Sequence, residues 1–182
     1  VQNGRLYTGL TGTAGEVGHT TIQARGRICG CGARGCLEAY ASRTAITRAI
    51  IAEIHHGRTS VLAEEVARQL QAGEMLIRSG MIANAIAQKD ALVIEMITEA
   101  ANYLGYGLGS VMNFYNPDGI ILGGGVIEAV DLLYETAVQR ARNTALAEPA
   151  SKTKIMRAKL GDFSGVVGAA CLGAQAAGYQ FP

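Results

Sequence analysis

Four soft donors stand within eighteen residues of one another: His19, Cys29, Cys31 and Cys36. Three thiolates and an imidazole make up the ligand set of a closed, four-coordinate structural zinc site. The run Cys29-Gly-Cys-Gly-Ala-Arg-Gly-Cys36 also has the right mechanics, because Gly32 and Gly35 permit the positive φ angles that fold three thiolates round one ion. Cys29 and Cys31 are too close in sequence to make a good disulfide, and a reducing compartment keeps such thiols free. The competing reading is three small buried cysteines beside an unrelated histidine. The number of donors and the glycines at the bends favour the metal.

Other candidates are weaker by themselves. Glu16 and Glu38 flank the four donors, and on residue type alone they read as solvated carboxylates. Gly123-Gly-Gly125 follows an apolar run and precedes a helical one, so main-chain atoms there can approach a ligand closely. It is neither a Walker loop nor a G-x-G-x-x-G fingerprint, and a tight strand–helix turn is the simpler explanation of the glycines alone. Cys171, among small residues, reads as a core position at a close helix contact, and His55 and His56 as a solvated helix end.

The elements that must position these residues are legible as periodicity. Short extended pieces are expected at Gly4–Thr8 and Thr20–Ala24. A helix is expected from Leu37 to about His56, a second capped by Thr59-Ser60 and running through Leu70, and a short third between Ser79 and Gln88. The longest should run from an Asp90 N-cap to Phe114, with Val93, Ile94, Ile97, Ala101, Leu104, Leu108, Val111 and Met112 as its apolar stripe. Gly105, Gly107 and Gly109 would weaken a lone helix, which implies a backbone packed close against it. Beyond Asn116-Pro117-Asp118 the pattern alternates: strand Ile120–Leu122, helix Val126–Asn143, strand Ile155–Leu160, helix Gly165–Ala177. Such alternation implies an α/β fold with parallel strands.

Composition bounds the function. The 182 residues are 49% apolar and 17% charged, as suits one well-packed domain or one lobe of a two-lobed protein. Sixteen basic against fifteen acidic residues, with no Lys/Arg-rich run, leave no electrostatic footprint for nucleic acid or an anionic membrane. With no long apolar span and no signal peptide, the expected address is the cytoplasm. The chain opens on Val1, and its first residues read as a strand and turn entered midway, so an upstream partner is expected.

Gly15-Glu-Val-Gly-His19, followed by the cysteine run through Glu38, resembles the ROK family of repressors, open reading frames and kinases; the family's His-x9-Cys-x-Cys-x4-Cys spacing is met residue for residue. Asn116-Pro117, Gly119–Val126 and Leu160–Ala170 are similar to the family's C-terminal nucleotide segments, although Phe163 stands where a small acidic residue is expected, so Asp162 is given no role. The resemblance implies an α/β, ribonuclease H-like (actin-type ATPase) fold. In that frame residues 1–182 are the C-terminal lobe, with a zinc-binding and sugar loop at 15–38, nucleotide-side βα units at 116–177, and the N-terminal lobe missing from the sequence. It further implies hexose contacts from Glu16, His19 and Glu38, structural zinc on His19, Cys29, Cys31 and Cys36, and ATP with Mg²⁺ against Gly123, Gly124 and Gly125.

The function so implied is that of a glucokinase-like, ATP-dependent hexose kinase, and family members are commonly homodimers. The catalytic base (an Asp in an Asn-Asp motif) and the phosphate loop belong to the family's N-terminal lobe, and neither motif occurs in residues 1–182. This polypeptide is therefore expected not to turn over ATP alone. A sugar-sensing repressor of the same family, with nucleic acid as a partner, is the alternative. A zinc-stabilised interaction module without sugar affinity is the third reading.

Overall fold

A computed structural model describes residues 1–73 and 77–179, the side chain of Asp162 excepted. The helix expected across Leu37–His56 is two. α1 (Glu38–Ala41) and α2 (Arg43–His55) part at Ser42, whose ψ of 155° breaks the helix and whose Oγ accepts the Ala45 N–H at 3.1 Å. A serine that offers the backbone this local bond is a better N-cap than a mid-helix residue. α3 (Ala63–Gln71) begins three residues beyond Ser60, whose Oγ accepts the Leu62 N–H at 3.1 Å while its hydroxyl donates to Asp90. α4 (Ser79–Ala87) and α5 (Ala91–Tyr115) follow closely on expectation.

α5 is the spine of the molecule. The Asp90 carboxylate caps it by accepting the Val93 N–H at 3.1 Å through Oδ1. Its other oxygen accepts the Ser60 hydroxyl at 2.6 Å and the Val61 N–H at 2.8 Å, so one side chain ties the α2–α3 loop to α5. The helix ends at Asn116, whose positive φ of 42° places it in the left-handed region just before Pro117.

β1 (Gly119–Leu122) leads into α6 (Gly125–Ala129) and α7 (Asp131–Thr144). The single helix expected from Val126 is broken by buried Val130, which is extended at φ −127°. α7 packs along α5 more extensively than any other helix pair, because the glycines of α5 let it in. A Cβ on Gly105 would lie 2.4 Å from Arg140 Cβ and 2.8 Å from the Ala137 carbonyl.

α8 (Ala147–Lys152), which periodicity did not indicate, starts where the Leu146 N–H donates to Asn113 Oδ1 of α5. β2 (Lys154–Arg157) then pairs parallel with β1, with Ile120 opposite Ile155 and Leu122 opposite Arg157. This strand is shorter than the expected Ile155–Leu160, since a 3-10 turn at Gly161–Phe163 leads directly into α9 (Ser164–Ala176).

Ile46, Ile50, Val66, Ile82, Val93, Ile97, Met112, Leu133 and Ala137 belong to one apolar core shared by α2, α3, α4, α5 and α7. The sheet turns Ile120 and Leu122 toward that core and leaves Ile121 and Met156 exposed. α9 buries none of its residues, so Cys171 is half-buried rather than a core position: among the described residues no element covers the small-residue face of that helix. The expected extended pieces at Gly4–Thr8 and Thr20–Ala24 do not form strands; the antiparallel bridges Gln2–Arg5 and Thr21–Cys36 stand there instead. Among the described residues no helix is long and apolar enough to cross a membrane.

Candidate functional site

The loop that carries the four soft donors is built from main-chain bonds before any ion is considered. A 3-10 turn at Val17–His19 is closed by the His19 N–H on the Glu16 carbonyl at 3.0 Å. It is pinned to the far end of the loop where the Leu37 N–H donates to the Thr20 carbonyl at 3.0 Å. Between these anchors the Cys29 N–H donates to Ala33 O at 2.8 Å, and Gly32 and Gly35 adopt φ of +90° and +82°, as the spacing required.

This backbone brings His19, Cys29, Cys31 and Cys36 together, with one ligand atom from each, all within 4.8 Å of one another. Cys31 Sγ and Cys36 Sγ are 3.7 Å apart, as are Cys29 Sγ and His19 Nδ1. In a zinc tetrahedron with ordinary bond lengths two sulfurs stand about 3.8 Å apart and a sulfur and a nitrogen about 3.6 Å. The donor set and its spacing fit that ion. All four cysteines are free thiols.

Without an ion the crowded thiols differ in acidity. Burial, together with the neighbouring Cys31 and Cys29, pushes the Cys36 thiol up to about 11. Cys31 is lowered instead, first by the backbone at Ala33 and then by the Cys29 thiol. Crowded thiols share protons in this way until a cation takes their place.

The two candidate carboxylates stand at the edge of this cluster. Glu16 Oε2 is 3.9 Å from His19 Nε2, and Glu38 Oε1 is 3.9 Å from Cys29 Sγ. The imidazole thus turns Nδ1 to the thiols and Nε2 to a carboxylate, and 35% of its side chain is exposed. Glu38 lines a groove of about 840 Å³ with Arg27, Cys29 and Met96, whereas Glu16 lines a separate hollow of about 310 Å³ with Thr20, Gly107 and Phe114.

Gly123, Gly124 and Gly125 lie apart from these residues, at the turn from β1 into α6. Gly124 has φ of +110° and ψ of 151°, a backbone that side-chain-bearing residues avoid. A crevice of about 900 Å³ opens beside it, lined by Gly123, Gly124, Met156, Ala158, Leu160 and Gly161 among others. Two residues that periodicity did not single out, Arg27 and Glu99, form an ion pair at 3.3 Å linking the cysteine loop to α5. With the two residues 72 positions apart, no local pattern announces such a pair.

Residues 1–176 match the ROK family. The chain belongs to the ROK family. Both branches of the ROK family stand among its relatives. A glucokinase of Halalkalibacterium halodurans is 34% identical over 169 residues, which cover 92% of this chain and 50% of that protein. The N-acetylglucosamine repressor of Escherichia coli is 29% identical over 173 residues, covering 94% of this chain and 40% of the repressor. Among solved structures, a ROK family glucokinase from Streptomyces griseus in complex with glucose and AMPPNP superposes with a TM-score of 0.74 at 29% identity, covering 92% of this chain and 54% of that one. A ROK family transcriptional regulator, a homologue of the E. coli MLC protein, superposes with a TM-score of 0.71 at 33% identity, covering 85% and 37%. The architecture is therefore that of ROK sugar-kinase structures, an actin-like ATPase fold. The chain spans about half the length of these kinase relatives and about two fifths of the repressors.

Proposed function

We propose that this chain is the C-terminal lobe of a glucokinase-like, ATP-dependent hexose kinase, in which residues 15–38 read the sugar and residues 116–177 close on the nucleotide. The observation that carries the reading is the division of labour in His19, with Nδ1 facing Cys29 and Nε2 facing Glu16. His19, Cys29, Cys31 and Cys36 would hold zinc. When bound, the ion supplies a rigid anchor for the loop, since four protein ligands leave no position open for water. With Nδ1 used as a ligand, Nε2 carries the proton and becomes a fixed hydrogen-bond donor. Glu16 beside it is an acceptor, and Glu38 is a second one on the Cys29 side of the cluster. A donor and carboxylate acceptors suit a ring of vicinal hydroxyls, each of which both gives and takes a hydrogen bond.

On the nucleotide side, Gly123, Gly124 and Gly125 offer bare main chain against which the adenosine of MgATP can lie, next to the crevice that Gly123 and Gly124 line with Met156 and Leu160. The triple glycine, which resembles the family's nucleotide segment, favours the kinase over the repressor. The base that takes the hydroxyl proton and the phosphate loop would come from an N-terminal lobe, so the chain alone is expected to bind rather than turn over.

The test is a coupled assay on the complete gene product with MgATP and a panel of glucose, mannose, fructose and N-acetylated hexoses. Phosphorylation of at least one hexose is expected. Hexose-dependent DNA binding without any ATP-dependent phosphorylation would overturn the kinase in favour of the repressor, the reading that the repressor relatives support.

A further inference from the structure

Glu38 and the cysteines need a backbone that is held in place, and the ion is not the whole of the hold. Tyr40 lies two residues beyond Glu38 on the same short helix α1 and is buried, with 5% of its surface exposed. Its hydroxyl oxygen accepts the N–H of Arg27 at 2.7 Å, two positions before Cys29. The Arg27 guanidinium stands 4.7 Å over the Tyr40 ring and reaches on to Glu99 of α5 at 3.3 Å. The Tyr103 ring of α5 packs against the Tyr40 ring with centroids 4.3 Å apart.

Two features show that the hydroxyl, and not only the ring, has been accommodated. A Cβ on Gly26 would fall 2.0 Å from the Tyr40 hydroxyl oxygen, so the chain passes there only as glycine. The carbonyl of Arg27 in turn accepts the Gly35 N–H at 2.8 Å, and Gly35 precedes the ligand Cys36. A continuous line of contacts therefore runs from α5 through Glu99, Arg27 and Tyr40 into both limbs of the cysteine loop, without passing through the metal position.

We propose that Tyr40, Arg27 and Glu99 form a second, metal-independent clamp: positioning residues that fix the rotation of α1, and hence the Glu38 carboxylate, and set hexose affinity. This rests on the reading of Glu38 as a sugar contact given above. A phenylalanine at position 40 would fill the same apolar space but take from the Arg27 N–H the partner it has in a part-buried bond.

The experiment is steady-state kinetics on the complete gene product carrying Tyr40→Phe or Glu99→Gln, with zinc content measured alongside. Tyr40→Phe should raise the hexose KM about tenfold, equivalent to about 1.4 kcal/mol, while kcat and the ATP KM stay within about twofold. Glu99→Gln, which leaves the packed rings alone, should raise it about two- to threefold. A drop in melting temperature with the hexose KM unchanged in both variants would reduce the clamp to ordinary core packing and overturn the proposal. Should Tyr40→Phe fail to fold, Glu99→Gln decides alone. If the unmutated protein phosphorylates no hexose, the kinase reading has failed and not yet the clamp. The clamp then stands if Tyr40→Phe gives up zinc to a chelator several times faster than the parent, and falls if the two rates are equal.

Discussion

Gly32 and Gly35 occupy one loop with nearly the same backbone, φ of +90° and +82°, yet alanine at the two positions should behave very differently. At either site the left-handed conformation costs an alanine about 1–2 kcal/mol. The surroundings add nothing at Gly32, where a Cβ meets no atom within 4 Å. At Gly35 it would lie 1.8 Å from the Gln23 carbonyl oxygen and 2.8 Å from its carbon, where real Cβ contacts do not fall below 3.0 Å. The two backbone segments would have to part by more than 1 Å. Gly35 is also where the loop is stitched: its carbonyl accepts the N–H of Ile22 at 2.8 Å and of Gln23 at 3.3 Å, and its own N–H donates to Arg27.

Losing those three bonds at about 1 kcal/mol each, on top of the strain, puts Gly35→Ala at about 4–5 kcal/mol against about 1–2 kcal/mol for Gly32→Ala. The larger figure rivals the whole stability of a marginal domain. It also moves Cys36, the next residue, by several times the ~0.2 Å that zinc coordination tolerates. Denaturant unfolding and zinc per chain by elemental mass spectrometry measure both consequences. Gly32→Ala should retain one zinc per chain, and Gly35→Ala should be markedly substoichiometric. Equal stability and equal metal content in the two variants would refute the loop geometry and the metal assignment built on it.

Cys31→Ser, at the most exposed of the three thiol ligands, should abolish stoichiometric zinc and lower hexose affinity in calorimetric titration of the complete gene product. Asp90→Ala removes the α5 cap and strands the Ser60 hydroxyl and Val61 N–H, a loss of about 2–4 kcal/mol by denaturant unfolding at neutral pH. Burial opposes ionisation of Asp90, but Ser60 and the N–H groups of Val93, Val61 and Leu92 outweigh it and lower its pKa. Its contribution is therefore complete above the unfolded carboxylate value of about 3.9 and lost as pH falls through the lower folded value. Accordingly, the gap in stability between parent and Asp90→Asn should be widest above about pH 5 and shrink below about pH 4. Gly105→Ala should destabilise by about 1–2 kcal/mol despite its better helix propensity, because the Ala137 carbonyl of α7 cannot give way. Gly107→Ala should cost less, since it meets only the flexible end of Leu37.

What the sequence discloses about this molecule depends on how far each side chain reaches. The four soft donors lie in one short loop, so their identity and spacing are legible as a candidate metal site before any fold is known, and the glycines at positive φ follow from the same local need. The stripe on α5 is equally local, because the helix repeats its apolar face every turn. Roles decided by a distant partner are another matter. Asp90 is legible as an N-cap, but not as the anchor of a loop some thirty positions upstream, since a carboxylate with two oxygens can serve two masters and only one is its neighbour in sequence. Ser60 likewise serves two partners: its oxygen accepts the Leu62 N–H at the head of α3, as the sequence suggests, and its hydroxyl donates to Asp90 across the fold, which the sequence does not. α8 begins on a bond from Leu146 to Asn113 of α5, which no propensity encodes. By residue type Tyr40 reads as one more apolar position of a helix, although its hydroxyl is the part that reaches the cysteine loop. The same distinction governs His19. Its place in the motif names it a candidate ligand, but which ring nitrogen faces the thiols is visible only in the fold, where Nδ1 is 3.7 Å from Cys29 Sγ and Nε2 is 3.9 Å from Glu16. On that orientation rests the difference between a histidine that only binds metal and one that also presents a donor to a sugar.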